Sequence, residues 1–308
     1  MKVILYTSTE SENLRISSII SQKDDGVENE VFNIYPEVKY QTFEGFGGAI
    51  SDSAGYVFSK LSEEQQNEIL DTYFSPENMG YNQVRIHMDS CDFSTHMYEA
   101  DPNEDDEELQ HFSFADTEKY IIPLLEAAER KASKKLKIML SAWSPPAYMK
   151  TSGKRKKGGS LKPEFRKRWA RYLCRYIEEF QSRGFNVVRM SVQNEPKAVQ
   201  EWDSCVYTAN EEKEFLREYH APALHAYGLD EIELFIWDHN KERIFERETE
   251  IIDVTTDALV DGIAFHWYSG DHFEALNLVK EKFPDKKLIL SESCLEFGKY
   301  DKYERPLE

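Results

Sequence analysis

The chain is poor in several features that would assign it to a class at once. It has no run of 18 apolar residues, so no transmembrane helix is expected. Its first residues, Met1-Lys2-Val3-Ile4-Leu5-Tyr6-Thr7-Ser8, hold only a brief apolar run, too short for a signal-peptide core. Cysteine is scarce: Cys91, Cys174, Cys205 and Cys294 lie scattered through 308 residues. They form no CxxC and no Cys/His zinc spacing, which argues against a disulfide scaffold and a structural metal. These absences together read as a cytoplasmic protein with reduced thiols. Basic charge is the minority, 38 Lys and Arg against 57 Asp and Glu, a net charge of −19. That disfavours nucleic acid and anionic membranes as partners and fits a neutral substrate.

What is present is a long strand–helix alternation. Apolar, strand-like runs recur near residues 46, 84, 138, 189, 234, 264 and 289. Between them helical patterns are expected near 62–74, 116–133, 163–182, 211–226 and 272–282, with Ser62 as an N-cap and Gly184 just past a helix end. Alternation of this kind predicts a parallel α/β fold, and its length suits one (β/α)₈ TIM barrel of about 250 residues. Seven barrel strands are visible, and an eighth is missing. An open edge would then remain, so the expectation is a fragment, or a barrel completed by another segment or chain. Residues 41–308 are assigned to this catalytic barrel. Residues 1–40 differ: Val3–Leu5, Leu14–Ile16 and Glu30–Ile34 look like short strands of a partial N-terminal β side domain. The acidic stretch Glu99–Glu108 and the basic residues Lys150, Lys154, Arg155, Lys156 and Lys157 read as solvated loops.

Two of the strand-like runs stop at a glutamate, Val192-Gln193-Asn194-Glu195-Pro196 and Leu290-Ser291-Glu292-Ser293. They end the fourth and seventh strands. The C-terminal strand ends of a barrel converge on its active-site face, so both carboxylates are expected at one pocket. Two such groups are the equipment of a glycosidase: one protonates the leaving oxygen, the other acts as nucleophile or base. A separation of about 5 Å gives retention and roughly 6.5–9.5 Å gives inversion, and both stay open at this point. Pro196 is expected to hold Glu195 in an extended conformation, and Asn194 can donate to a sugar hydroxyl. Asp92 and Trp143 also follow strands directly. Asp92 competes with a reading as a turn or cap aspartate, and Trp143 with a core tryptophan. His266 as a metal ligand is set aside, because no second His or Cys lies at ligand spacing.

The motifs Glu44-Gly45-Phe46-Gly47-Gly48-Ala49, Gly80-Tyr81-Asn82, Ser90-Cys91-Asp92-Phe93-Ser94, Ser144-Pro145-Pro146, Gly158-Gly159-Ser160-Leu161-Lys162, Asn194-Glu195-Pro196, His266-Trp267-Tyr268 and Ser291-Glu292-Ser293-Cys294 are specific when taken together. Through them the chain, over about 41–297, resembles glycoside hydrolase family 30, the family of glucosylceramidases. The resemblance implies a retaining mechanism that needs no cofactor and no metal, with Glu195 as acid/base and Glu292 as nucleophile. It implies that Asp92 binds outer sugar hydroxyls, that Trp143 lines the same subsite, and that Asn194 holds the 2-hydroxyl. His266 and Tyr268 should support the two glutamates, and Arg85 should sit near Glu292. The expected activity is cleavage of a β-linked glucoside or oligosaccharide, most readily β-glucosyl. A β-xylosidase, an endo-β-1,6-glucanase, and a truncated inactive carbohydrate-binding protein are the competing readings. The same resemblance leads one to expect an eighth strand and C-terminal strands of the side domain beyond this chain.

Overall fold

The computed structural model describes residues 2–9, 15–20, 26 and 35–294. It divides into two compact units, residues 1–44 and 45–308. In the first unit β1 (Lys2–Thr7) pairs antiparallel with β2 (Arg15–Ile20), in the register Lys2 to Ile20 through Thr7 to Arg15. The strand expected at Glu30–Ile34 lies outside the described residues.

The second unit is a seven-stranded, wholly parallel, nearly closed barrel in the order β3 (Gly47–Ala49), β4 (Gln83–Met88), β5 (Lys137–Ala142), β6 (Asn186–Ser191), β7 (Glu233–Asn240), β8 (Gly262–His266) and β9 (Lys287–Glu292). Spatial order follows chain order, as successive right-handed strand–helix–strand crossovers require. Among the described residues no strand lies between β9 and β3.

Helices cover the outside: α1 (Asp52–Lys60), α2 (Glu63–Phe74), α3 (Ala115–Ala132), α4 (Arg166–Ser182), α5 (Ala209–Phe215), α6 (Ala221–Ala226), α7 (Ile244–Ile251) and α8 (Phe273–Lys282). Ser62 caps α2 in a reciprocal capping box with Gln65. Gly184 takes φ +80° just after α4, the left-handed position glycine adopts without strain. The helical pattern at 211–226 is three segments, with a π turn at Leu216–His220 between α5 and α6. Helices α1 and α7 escaped the sequence reading because they are short and closely follow a strand end. No helix among the described residues is long and apolar enough to cross a membrane.

Strand periodicity sorts side chains into two environments. Ile86, Ile138, Leu140, Met190, Leu234, Ile236 and Ile263 belong to the large core that also holds the buried residues of α3 and α4. Met139, Phe235 and Ala264, with Ile289 against them, form a separate small apolar cluster of the strands alone. Gly262 makes room for it: a Cβ there would stand 2.4 Å from the Phe235 ring. In β5, β8 and β9 the next residue along in the two-residue repeat is polar, Ser141, His266 and Ser291, and that polar layer is the floor of the site.

Two loops read as solvated are instead ordered by buried charge. Lys150 is fully buried, donating from Nζ to the carbonyls of Arg155 (2.7 Å) and Ser204 (2.5 Å). Arg155, also buried, pairs with Asp89 and Asp203 at 3.1 and 3.0 Å. In the acidic stretch Asp101 is buried and pairs with Arg168 of α4, which also donates to the carbonyls of Asn103 and Glu104. Charge runs are normally solvated, but here arginine forks satisfy carboxylates and loop carbonyls together. Asp89, directly after β4, is further held by the hydroxyls of Tyr172 and Tyr176 from α4. This pins the start of the loop that carries Asp92.

Candidate active site

Asp238 is the hub of the site, and sequence reasoning missed it. Its carboxylate is fully buried and accepts hydrogen bonds from Arg85 Nη2 (2.7 Å), Ser141 Oγ (3.1 Å), Ser191 Oγ (2.6 Å) and Ser291 Oγ (2.5 Å), with His266 Nε2 at 3.1 Å. Every strand from β4 to β9 thus gives one polar side chain to a single layer. Local geometry makes this work. The register between β7 and β8 shifts between Trp237 and His239, so Asp238 is the extra residue of a bulge. Trp237 and Asp238 take φ of +70° and +48°. The Glu212 carboxylate accepts from the Trp237 amide at 2.9 Å and stabilises this turn. Bulges next to active sites re-aim a side chain in this way. The one available sequence signal was the strand-end pattern that had singled out Asp92, since Asp238 also follows an apolar run.

Arg85 connects the hub to the glutamate that ends β9. Its Nη1 donates to Glu292 Oε2 at 2.7 Å, its Nη2 to Asn194 Oδ1 at 2.8 Å, and its Nε to Ser141 at 3.1 Å. Burial alone would lower the guanidinium's pKa. The facing charges of Asp238 and Glu292 outweigh this and hold it above the usual value. The bond to Asn194 fixes the amide so that its NH₂ is the end left to donate. Tyr268 donates its hydroxyl to the other Glu292 oxygen at 3.0 Å, and the same hydroxyl accepts from the Cys294 amide at 3.0 Å. Trp143 lies with its ring 4.7 Å from the Arg85 guanidinium carbon, a cation–π distance, so it is a buried wall residue in contact with the site.

Glu195 belongs to a different set of partners. Its Oε1 lies 3.2 Å from His266 Nδ1 and 3.5 Å from His239 Nδ1. Burial pushes the Glu195 carboxyl up, but the two histidines outweigh it and bring it down to about 2. Burial pushes His266 down, yet Asp238 and Glu195 hold it up at about 9. At neutral pH this pair therefore holds one proton, and it resides on the imidazole. The extended backbone expected before Pro196 is not found: Glu195 has φ +45°. A tertiary hydrogen bond from the Glu195 amide to the Asp238 carbonyl, with a turn bond from the Ala198 amide to the Glu195 carbonyl, overrides the local bias. Asp92 opens to solvent on one side and is backed by protein on the other. Desolvation and then the charge of Glu292, with Glu195 contributing, push its carboxyl up to about 6.

Seven of the eight residues singled out by sequence are thus joined by contacts, Arg85, Trp143, Asn194, Glu195, His266, Tyr268 and Glu292, and the exposed Asp92 stands within electrostatic reach of Glu292, Glu195 and Arg85. Asp238, His239 and the three serines complete the cluster. The fold and the site define a parallel α/β barrel of the kind that presents carboxylates with different sets of partners at its strand ends.

The family follows from comparison with known proteins. The chain belongs to glycosyl hydrolase family 30, whose TIM-barrel domain model matches residues 43–305. Putative glucosylceramidase 3 of Caenorhabditis elegans is 32% identical over 309 residues, covering 95% of this chain and 59% of that protein. The lysosomal acid glucosylceramidase of Mus musculus is 29% identical, covering 86% and 54%. Among solved structures, SrfJ from Salmonella typhimurium superposes with a TM-score of 0.93 at 35% identity, over 99% of this chain and 68% of that one. An endo-β1,6-glucanase superposes with a TM-score of 0.75 at 25% identity, over 82% and 58%. The chain therefore spans somewhat over half the length of the curated relatives it matches.

Proposed function

We propose that this barrel cleaves β-glucosidic bonds with retention of configuration, with Glu292 as nucleophile and Glu195 as acid/base. The observation that carries the reading is the asymmetry of the two carboxylates. Each Glu292 oxygen accepts a hydrogen bond, one from Arg85 and one from Tyr268, which fixes the carboxylate in place for attack on an anomeric carbon. Glu195 faces His266, which carries a proton at neutral pH. As Glu292 becomes a glycosyl ester its negative charge is lost, and with it part of what holds the proton on His266. The proton passes from Nδ1 to Glu195 Oε1 and on to the departing oxygen. In the second step Glu195 accepts a proton from water, which attacks the ester and releases the sugar. Asp92 accepts from outer sugar hydroxyls, the Asn194 NH₂ donates to the 2-hydroxyl, and Trp143 forms the wall.

The relatives named glucosylceramidases favour a β-glucosyl unit on a lipid aglycone. The test is incubation with 2-deoxy-2-fluoro-β-glucosyl fluoride followed by peptide mass spectrometry. An adduct on Glu292 is expected. An adduct on another residue, or none in folded protein, rejects the assignment. A second reading, an endo-acting β-1,6-glucanase, is favoured by the structural match to such an enzyme and by a Neurospora crassa endo-1,6-beta-D-glucanase 26% identical to this chain. Oligosaccharides released from β-1,6-glucan, with no glucose released from glucosylceramide, would select it.

A further inference from the structure

We propose that Glu195, His239 and His266 form a transition-metal site, and that a Zn²⁺ ion bound there switches the barrel off. Sequence offered His266 no companion at ligand spacing. The β7 bulge supplies one: in the β7–β8 register His239 pairs with Phe265, the residue before His266, and the two imidazole centroids stand 6.2 Å apart. One ligand atom each of Glu195, His239 and His266 lies within 4.8 Å of the other two. Two edges of that triangle are 3.2 and 3.5 Å. Ligand atoms about 2.0–2.1 Å from a tetrahedral zinc stand roughly 3.4 Å apart, so these two edges already have the required length. Rotation of the partly exposed His239 ring closes the third.

Two features beyond the triangle point to a ligand. His239 Nδ1 is buried and makes no hydrogen bond of normal geometry, its approach being the 3.5 Å contact with Glu195 Oε1. His266 turns its other nitrogen to Asp238 Oδ1 at 3.1 Å. That is the carboxylate–histidine arrangement which fixes the tautomer of a metal-bound imidazole and raises its basicity. Two imidazoles and one carboxylate suit Zn²⁺, Cu²⁺ or Co²⁺ over Mg²⁺ or Ca²⁺, and three protein ligands leave a fourth position for water. A metal on Glu195 Oε1 occupies the lone pair that must carry the leaving-group proton. The inhibitory half of the proposal therefore rests on the acid/base reading of Glu195, while the binding half does not.

The experiment is a titration of the wild-type protein with Co²⁺, followed by the visible d–d bands of four-coordinate cobalt, with Zn²⁺ then added in competition. Strong bands without thiolate charge transfer are expected, and Zn²⁺ should displace them. His239→Ala, shown folded by near-UV circular dichroism, should weaken Co²⁺ binding at least about 100-fold, since loss of outer partners alone costs 10–100-fold. X-ray absorption at the zinc edge on the wild type, which needs no variant, should count two imidazoles and no sulfur. Absence of tetrahedral bands, sulfur ligation, or unchanged affinity in His239→Ala overturns the site. Binding that meets all three expectations, in a metal-free protein that hydrolyses no glycoside, keeps the site and rejects the catalytic reading. Turnover that Zn²⁺ at saturating occupancy does not reduce overturns the switch.

Discussion

Replacing Asp238 with asparagine tests whether the hub sets the protonation of the site or merely packs it. The side chain keeps its size and can still accept from Ser191 and Ser291. It loses the negative charge facing Arg85 at 2.7 Å and His266 at 3.1 Å. His266 titrates at about 9 rather than at the ordinary 6.5. That difference is worth about 3.4 kcal/mol at about 1.36 kcal/mol per pH unit, shared chiefly between Asp238 and Glu195. Removing one contributor should lower the pKa of the pair by on the order of 1–2 pH units. The sign is fixed. His266 is a cation below its pKa, so in Asp238→Asn it surrenders its proton at lower pH. If that proton supplies the leaving group, the alkaline limb of kcat/KM moves down from about 9 toward neutrality while the acid limb stays. Loss of one partner of the buried pair with Arg85 also costs about 3–5 kcal/mol of stability. Profiles are therefore read at a temperature where circular dichroism shows the variant folded. An alkaline limb unmoved near pH 9, in folded protein, would refute the coupling.

Glu292→Gln should abolish turnover of every substrate, measured by release of a fluorogenic aglycone. Glu195→Ala should retain turnover of substrates with good leaving groups and should be accelerated by azide, with a β-glycosyl azide as product; no effect of azide would sink the acid/base assignment. Asp92, raised to about 6, would on the proposed reading accept from sugar hydroxyls best when ionised. The acid limb of kcat/KM should therefore lie near pH 6 and vanish in Asp92→Asn, which a pH–rate profile of the two proteins checks. Glu248 is fully buried on α7, neither carboxyl oxygen has a partner, and burial followed by the charge of Glu212 raises it to about 9. It is neutral in the fold and ionised when unfolded at neutral pH. Stability is thus lost as pH rises from about 4.5 through about 9, by about 3 kcal/mol at pH 7. Glu248→Gln should unfold at higher urea than the wild type at pH 8 and lose most of that advantage at pH 5; an equal gain at both would refute the cause.

The barrel was legible because its strands are written as apolar runs at regular intervals, and because β-periodicity needs no knowledge of neighbours. The seven positions near 46, 84, 138, 189, 234, 264 and 289 all fall in or beside strands β3–β9. Glu195 and Glu292 were legible because each ends such a run. Asp238 was not, because its importance depends on register: only when six strands are aligned do Arg85, Ser141, Ser191, His266 and Ser291 meet one carboxylate. His239 was hidden for the same reason, being aimed by a bulge that no local pattern announces. The backbone of Glu195 was misread because the proline rule is local, whereas the hydrogen bond from the Glu195 amide to the Asp238 carbonyl bridges separate segments. Lys150 and Arg155 were misread because a charge run shows its charges and not the buried acceptors waiting for them.

Backbone strain and the polar layer belong to one arrangement. Glu195, Trp237 and Asp238 all adopt positive φ without being glycine; Glu195 and Asp238 lie in the cluster and Trp237 directly precedes the hub. Such conformations cost on the order of 1–3 kcal/mol each and persist only where surroundings over-determine them. Here the surroundings are named: Glu212 on the Trp237 amide, the Asp238 carbonyl on the Glu195 amide, and five side chains on the Asp238 carboxylate. The strain in β7 turns Asp238 inward, and the same turn presents the carbonyl that receives Glu195. Charge on the hub and position of Glu195 are therefore not independent. A substitution that relaxed the bulge would move Glu195 and release His266 together, whereas Asp238→Asn alters the charge with the bulge kept. Comparing the two separates positioning from electrostatics, and Trp237→Gly is the matching relaxed variant. It should lower kcat at all pH values through misplacement of Glu195, without the selective shift of the alkaline limb expected of Asp238→Asn.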